Sequence, residues 1–185
     1  MLLPLCAAAV VSCSKPKTPA EDSARFTSAT GVLRAEKYNW IVSSQGIGPV
    51  TFGMSLADAA RALNDSAIAR VSKRASCAYV HPKNMPAGTS LMVAAGIIVR
   101  VDIDSAGVET EGGLGVGDSE VAVLVMSSGR AKVESNKYEG PRAHSLIVSS
   151  PTDPEHLMIF ETDGSRVRRY RAGTRAAVEL VERCG

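Results

Sequence analysis

"GIGPVTFGMSLADAARAL", residues 46–63, places Gly46, Gly48, Pro49 and Gly53 directly ahead of one short amphipathic run. Gly53 and Met54 lead into Ser55, with Asp58 three residues on. That is a serine N-cap followed by an acid set to face the unpaired amides of a first helical turn. Leu56, Ala59, Ala60 and Leu63 then recur at i, i+3, i+4 and i+7, which predicts one buried helix face. A second stretch, "GLGVGDSEVAVLV" (113–125), repeats the arrangement, with Gly115-Val116-Gly117 leading to Glu120 and a stripe of Val121, Leu124 and Val125. The openings align as Gly53/Gly115, Asp58/Glu120 and Leu63/Val125, a constant offset of 62. Helices this short are unstable alone. The glycines therefore read as packing geometry, turning the chain so that each stripe lies on a sheet.

Strand patterns follow each helix. After the first come "CAYVH" (77–81), "TSLMVAA" (89–95) and "IIVRVDID" (97–104). In the last, Val99, Val101 and Ile103 alternate with Arg100, Asp102 and Asp104, the mark of a strand with one wet face. After the second come "AKVES" (131–135), "HSLIVSS" (144–150), "HLMIFET" (156–162) and "SRVRRYR" (165–171), the last two joined by a hairpin signal, Asp163-Gly164. The tail "TRAAVELVERC" fits a closing helix or a final strand. The chain thus predicts an α+β fold of two tandem α-β-β-β units, at about 46–107 and 108–185, with short helices on one face of antiparallel sheet. A short β-rich run at Tyr38–Val42 precedes them.

Composition bounds the function. At 45% hydrophobic and 22% charged residues, the chain is ordinary globular material. Twenty-one Lys+Arg against nineteen Asp+Glu leaves +2, too little to argue for nucleic acid. Aromatics at 4% count against stacking platforms for sugars or single strands.

The N-terminus predicts an address. "MLLPLCAAAVVSC" is an uncharged apolar run, too short to span a bilayer. Its end, Val10-Val11-Ser12-Cys13, resembles the lipobox of bacterial lipoproteins, which implies a signal peptide over 1–12 and lipidation of Cys13. An ordinary secretory signal and a buried N-terminal segment are the alternatives. No basic residue precedes Lys15, where such signals usually carry one. Ser14 in place of Asp implies the periplasmic side of the outer membrane by the same resemblance. Residues 13–35, polar and proline-bearing, read as a flexible tether, with the folded domain over 36–185. If Cys6 leaves with the signal, Cys77 and Cys184 remain, and an oxidising envelope allows them one connectivity. The alternatives are free buried thiols or a metal site with His81, and thiol counting separates these.

No chemistry-bearing constellation stands out. The three histidines, His81, His144 and His156, lie in different strands without metal-ligand spacing, and no metal or cofactor is expected. There is no GxSxG or SxxK, and His144-Ser145 point to opposite faces of one strand. The Gly-rich 111–120 stretch lacks a GK[ST] ending and carries Glu111, Asp118 and Glu120, which repel an anion. Asp102, Asp104 and Glu109 admit a Ca²⁺ reading, set against a solvated face beside Arg100. One surface feature survives: Arg166, Arg168, Arg169 and Arg171 around Tyr170. It reads as a charged edge strand that resists sheet pairing, or as a docking surface for an acidic partner. In a regular strand, Arg166, Arg168 and Tyr170 share a face.

The residues "FGMSLADAARAL" (52–63) and, less closely, "GVGDSEVAVL" (115–124) resemble two groups of secreted bacterial proteins. One is the small outer-membrane assembly lipoproteins of the SmpA/OmlA type. The other is the β-lactamase inhibitory proteins, which carry the same unit in tandem. The resemblance covers the two helix openings and implies a fold and an envelope setting, with no catalytic residue. The expectation is a non-catalytic, membrane-tethered adaptor or inhibitor-like protein that recognises another envelope protein through a concave face between adjacent sheets. A lectin-like glycan or peptidoglycan binder is the alternative, with Trp40, Tyr79 and Tyr138 as its platform. A hydrolase with a scattered site comes third, and a pocket joining a histidine, a carboxylate and a hydroxyl would favour it.

Overall fold

A computed structural model describes residues 38–70, 76–136, 138–150 and 152–184, all within the unit formed by residues 37–185. The expected signal, Cys13 and the tether lie outside the described residues.

The opening stretch builds more than a helix start. Strand β1 (Ile41–Val42) pairs with β2 (Gly46–Ile47), which turns back through Gly48-Pro49 into β3 (Val50–Thr51). Gly48 has φ +52°, and a Cβ there would stand 2.9 Å from the Trp40 ring, so glycine is required twice over. Gly53, at φ +84°, then turns the chain into α1 (Leu56–Ala62). This turn is stitched to a later strand: Gly53 N–H donates to Ile98 O (2.8 Å), Ile98 N–H to Met54 O (2.9 Å) and Leu56 N–H to Gly96 O (2.9 Å). The Ser55 hydroxyl accepts from Asp58 N–H at 3.1 Å and donates to the Asp58 carboxylate at 2.5 Å. Ser55→Ala removes that cap and is expected to cost about 1 kcal/mol, read as a lower urea midpoint at unchanged slope.

A single 3-10 turn (Ile68–Arg70) follows, then β4 (Cys77–Val80), β5 (Thr89–Ala94), β6 (Ile97–Ile103) and β7 (Glu109–Thr110). Helix α2 (Glu120–Met126) leads to β8 (Ala131–Ser135), β9 (His144–Ser149), β10 (His156–Thr162), β11 (Val167–Thr174) and a one-turn α3 (Arg175–Val178). The architecture is α+β. Seven antiparallel strands form one sheet in the order β4-β5-β6-β11-β10-β9-β8. Four two-residue strands form a small second sheet, β3-β2-β1-β7, in which β1 and β7 run parallel.

One face of the large sheet carries Leu91, Val101, Ile103, Tyr170, Ala172, Phe160 and Leu146 in register, and joins Leu56, Ala59, Leu63 and Val123 of the helices in one core. The other face carries Arg100, Asp102, Arg169, Arg171 and Glu161. The C-terminal residues lie over it, with α3 packed on β6, β10 and β11 and Val178 seated on Leu157 and Ile159.

Three expectations are corrected. The face of β6 that carries Arg100 and Asp102 is dry, at 2% and 4% exposure, because the tail that fits either helix or strand is a helical turn plus a strap lying across it. Not all helix therefore sits on one face. In α2 the stripe is rotated: Val121 and Val125 stand 67% and 68% exposed, while Val123 is buried. The cause is Glu120, which turns inward to His144 and Thr162 and carries Val123 and Ser127 in with it at i+3 and i+7. The cap is Ser119, accepting from Ala122 N–H at 3.0 Å, so the capped openings correspond at an offset of 64 rather than 62.

Candidate functional site

The basic run does not assemble as one surface. Strand β11 lies at the centre of the large sheet, not at its edge. Glu161 pairs with Arg169 while Thr162 pairs with Val167, so Arg168 is the extra residue of a bulge. That residue changes the parity of the strand, and Val167 and Tyr170 both enter the core. Tyr170 is 1% exposed, stacks on Phe160 (5.3 Å) and donates to Val108 O at 3.0 Å; burial raises its phenol above the ordinary range. Arg171 is also buried, pairing with Glu161 and donating to Val178 O at 2.7 Å. Neither is available to a partner. Arg169 is half-exposed and shared between Glu161 and Glu139. Arg166 donates to Gly117 O (2.7 Å), and Arg168 pairs with Asp163 (3.0 Å). Asp163 caps the turn that follows it, and the amide of Arg166 and the hydroxyl and amide of Ser165 bring its carboxyl down to about 2. Only Arg166, Arg168 and part of Arg169 face solvent.

Beneath the C-terminal strap, every cation is matched. Arg100 pairs with Asp102, Arg171 and Arg169 with Glu161, and Arg183 with Asp104 at 2.8 Å. Tyr79 donates to Asp102 at 2.9 Å under the Arg183 guanidinium, and burial first, then the Asp102 charge, raises its phenol. The adjoining cavity of about 370 Å³ therefore offers an anion no unsatisfied charge. Asp102 and Asp104 each hold an arginine rather than standing open to Ca²⁺. Among the described residues no group of three His, Cys, Asp or Glu side chains is arranged to hold a metal ion. Cys77 and Cys184 are joined, with Cα atoms 5.4 Å apart.

A different site emerges between the two sheets. Val148, Met158 and Phe160, on the helix-bearing face of the large sheet, floor a cleft of about 370 Å³. Thr110, Glu111 and Leu114, on and after β7, form one wall, and Met126, Ser127 and Arg130 at the end of α2 form the other. Ser44, Ser150 and Thr152 supply hydroxyls to its lining, Ser149 supplies its carbonyl, which accepts from Arg130 at 2.8 Å, and His156 closes one end. His156 stacks on Phe52 (5.5 Å between ring centres) and donates from Nδ1 to Asp153 at 2.6 Å. That N–H holds the Asp153 carboxyl below the usual range, helped by Gln45 and by the Glu155 amide. The ring's other nitrogen, Nε2, is not engaged by Asp153. Among the described residues, no hydroxyl donates to it.

The second histidine–carboxylate pair has a different use. His144 Nδ1 lies 2.9 Å from Glu120, and Thr162 also donates to Glu120. Both groups converge on the carboxylate instead of forming a relay through the ring, so the cluster pins the start of α2 to β9 and β10. His81 is exposed. The aromatic residues of the proposed platform lie in separate environments: Trp40 edge-on to Tyr38 at 5.3 Å, Tyr79 under Arg183, and Tyr138 exposed beyond β8.

The cleft draws on residues more than 100 positions apart, Ser44 and Leu157 among them, so no local motif announces it. The one local signal is "DPEH" (153–156), an Asp and a His three apart at the entrance to a strand. Comparison with known protein families, with characterised proteins and with solved structures finds no match to this chain.

Proposed function

We propose that this chain is a non-catalytic binding module of the bacterial cell envelope, tethered through Cys13, that takes a segment of another envelope protein into the cleft between its two sheets. The observation that carries the reading is the cleft itself: an apolar floor of Val148, Met158 and Phe160 inside a rim of hydroxyls, Glu111 and Arg130. Such a site suits an apolar side chain presented on a polar backbone. The joined Cys77 and Cys184 agree with an oxidising compartment. We extend the proposal to the likeness with the assembly lipoproteins and β-lactamase inhibitory proteins, and to two related units in one fold. Its support is that both helices run seven residues from a serine cap, and both openings are stitched to a strand. Gly117 N–H donates to Val167 O of β11 and Val167 N–H returns to Asp118 O, as Gly53 N–H donates to Ile98 O of β6 and Ile98 N–H returns to Met54 O.

The test is affinity capture on the full chain, from detergent-solubilised envelope and separately from purified cell-wall glycan. Met126 is exposed and lines the cleft, so Met126→Asp spoils the apolar wall without disturbing the core. A single retained protein whose retention falls about tenfold or more in this variant, the ~1.4 kcal/mol expected of one lost apolar contact, supports the reading. Retention that Met126→Asp leaves unchanged moves binding away from the cleft. Retention of glycan alone turns the reading to the lectin-like alternative.

A second reading has an observation of its own. Asp153 and His156 stand at the mouth of a cleft lined by Ser44 and Ser150, the elements of a hydrolase without a hydroxyl on Nε2. Ester turnover by the full chain that disappears in His156→Ala would establish it.

A further inference from the structure

We propose that the outer edge of β8 pairs antiparallel with β8 of a second copy of this chain, about a two-fold axis through Val133. β8 ends the large sheet, and among the described residues no strand covers its outer edge. The direction of its backbone groups follows from one hydrogen bond. Asn136 N–H donates to Ala143 O of the neighbouring chain segment at 2.8 Å. By the alternation of an antiparallel ladder, Glu134 and Lys132 also direct their backbone toward β9, while Ala131, Val133 and Ser135 direct theirs outward.

A two-fold at Val133 therefore sets outward-facing groups opposite each other. Val133 meets Val133 of the second copy, and Ala131 meets Ser135 on either side. Each pair exchanges two backbone hydrogen bonds. The residues between them meet as Lys132 with Glu134 of the second copy, and Glu134 with its Lys132. The sequence "AKVES" is thus complementary to itself in this register and in this direction. Lysine on an edge strand normally repels pairing. Here its charge is already met by Glu134 at 2.7 Å on the same strand, and the axis offers it a second carboxylate. The apolar surface agrees. Val133 is 47% exposed and pairs with buried Leu146, so it stands on the face that α2 covers, where Val121, Val125 and Met126 are also exposed.

Sedimentation velocity of the full chain over a range of micromolar concentrations tests this. The expected result is a concentration-dependent dimer. Val133→Pro removes an N–H that the ladder directs away from β9 and that pairs with no strand among the described residues, and Lys132→Glu sets two pairs of carboxylates against each other. Each is expected to weaken the dimer about tenfold or more, with circular dichroism unchanged. Lys132→Glu combined with Glu134→Lys reverses both charges, keeps the register complementary and restores the dimer. A monomer throughout, a dimer indifferent to either single variant, or a double variant as weak as Lys132→Glu alone each overturns the proposal.

Discussion

Asp102→Ala, with Arg100 left in place, is expected to destabilise the domain by about 3–5 kcal/mol, measured by urea denaturation. Arg100 is among the largest fully buried side chains of the protein. Its Nε and Nη2 engage the Asp102 carboxylate at 2.5–3.1 Å, and its Nη1 donates to Ala177 O at 3.0 Å and Leu180 O at 2.8 Å. The guanidinium thus ties β6 to the strap, and Asp102 is the counter-charge that makes its burial tolerable. Removing the carboxylate leaves a cation in a dry site with carbonyls alone as partners, and takes the acceptor from the Tyr79 hydroxyl as well. The matched control is Arg168→Ala. It also breaks an ion pair, to Asp163 at 3.0 Å, but Arg168 is 68% exposed and the expected change stays within about 0.5 kcal/mol. Equal losses at the two positions would mean that water reaches Arg100 beneath the strap.

That contrast also marks what local sequence could convey. Runs of strand-forming residues bounded by turn signals located β4, β5, β6, β8, β9 and β10 to within a residue or two, because the ends of a strand are set by its neighbours in sequence. Ser55 with Asp58 marked the start of α1 because a cap is made by neighbours in sequence. Where reading along the chain failed, a distant contact had decided the matter. Arg100 and Asp102 pattern as a solvated face, and they are dry only because residues 175–184 return across them, some 75 positions later. Val121, Leu124 and Val125 form as good a stripe as α1 has, but Glu120 answers to His144 and Thr162, and their pull sets the rotation of the helix. In β11 a one-residue bulge at Arg168 was enough to send Tyr170 inward and to split the arginines among three environments. The cleft was the least legible part. Its residues are unremarkable one at a time, and only the approach of the small sheet to β9, β10 and α2 brings them together.

Breaking the Cys77–Cys184 bond, by reduction or by Cys184→Ser, is expected to cost about 2–5 kcal/mol. The bond closes a loop with a sequence separation of 107, long enough for a large loss of freedom in the unfolded chain. It also anchors the strap at Cys184 to β4, the opposite edge of the sheet from β8. Without it, Arg183 on Asp104 at 2.8 Å and over the Tyr79 ring at 5.5 Å remains as the strap's outer hold, and both contacts are exposed enough to be weak. The bond and the Arg100–Asp102 pair therefore secure one segment from two sides. In a double-mutant cycle, Cys184→Ser and Asp102→Ala are expected to lose less together than the sum of their separate losses, since either change loosens the strap on which the other depends. Strict additivity would place the disulfide's effect in the unfolded chain alone. A loss below about 1 kcal/mol on reduction would mean that the buried carbonyl contacts of Arg100 and Arg171 hold the strap without it.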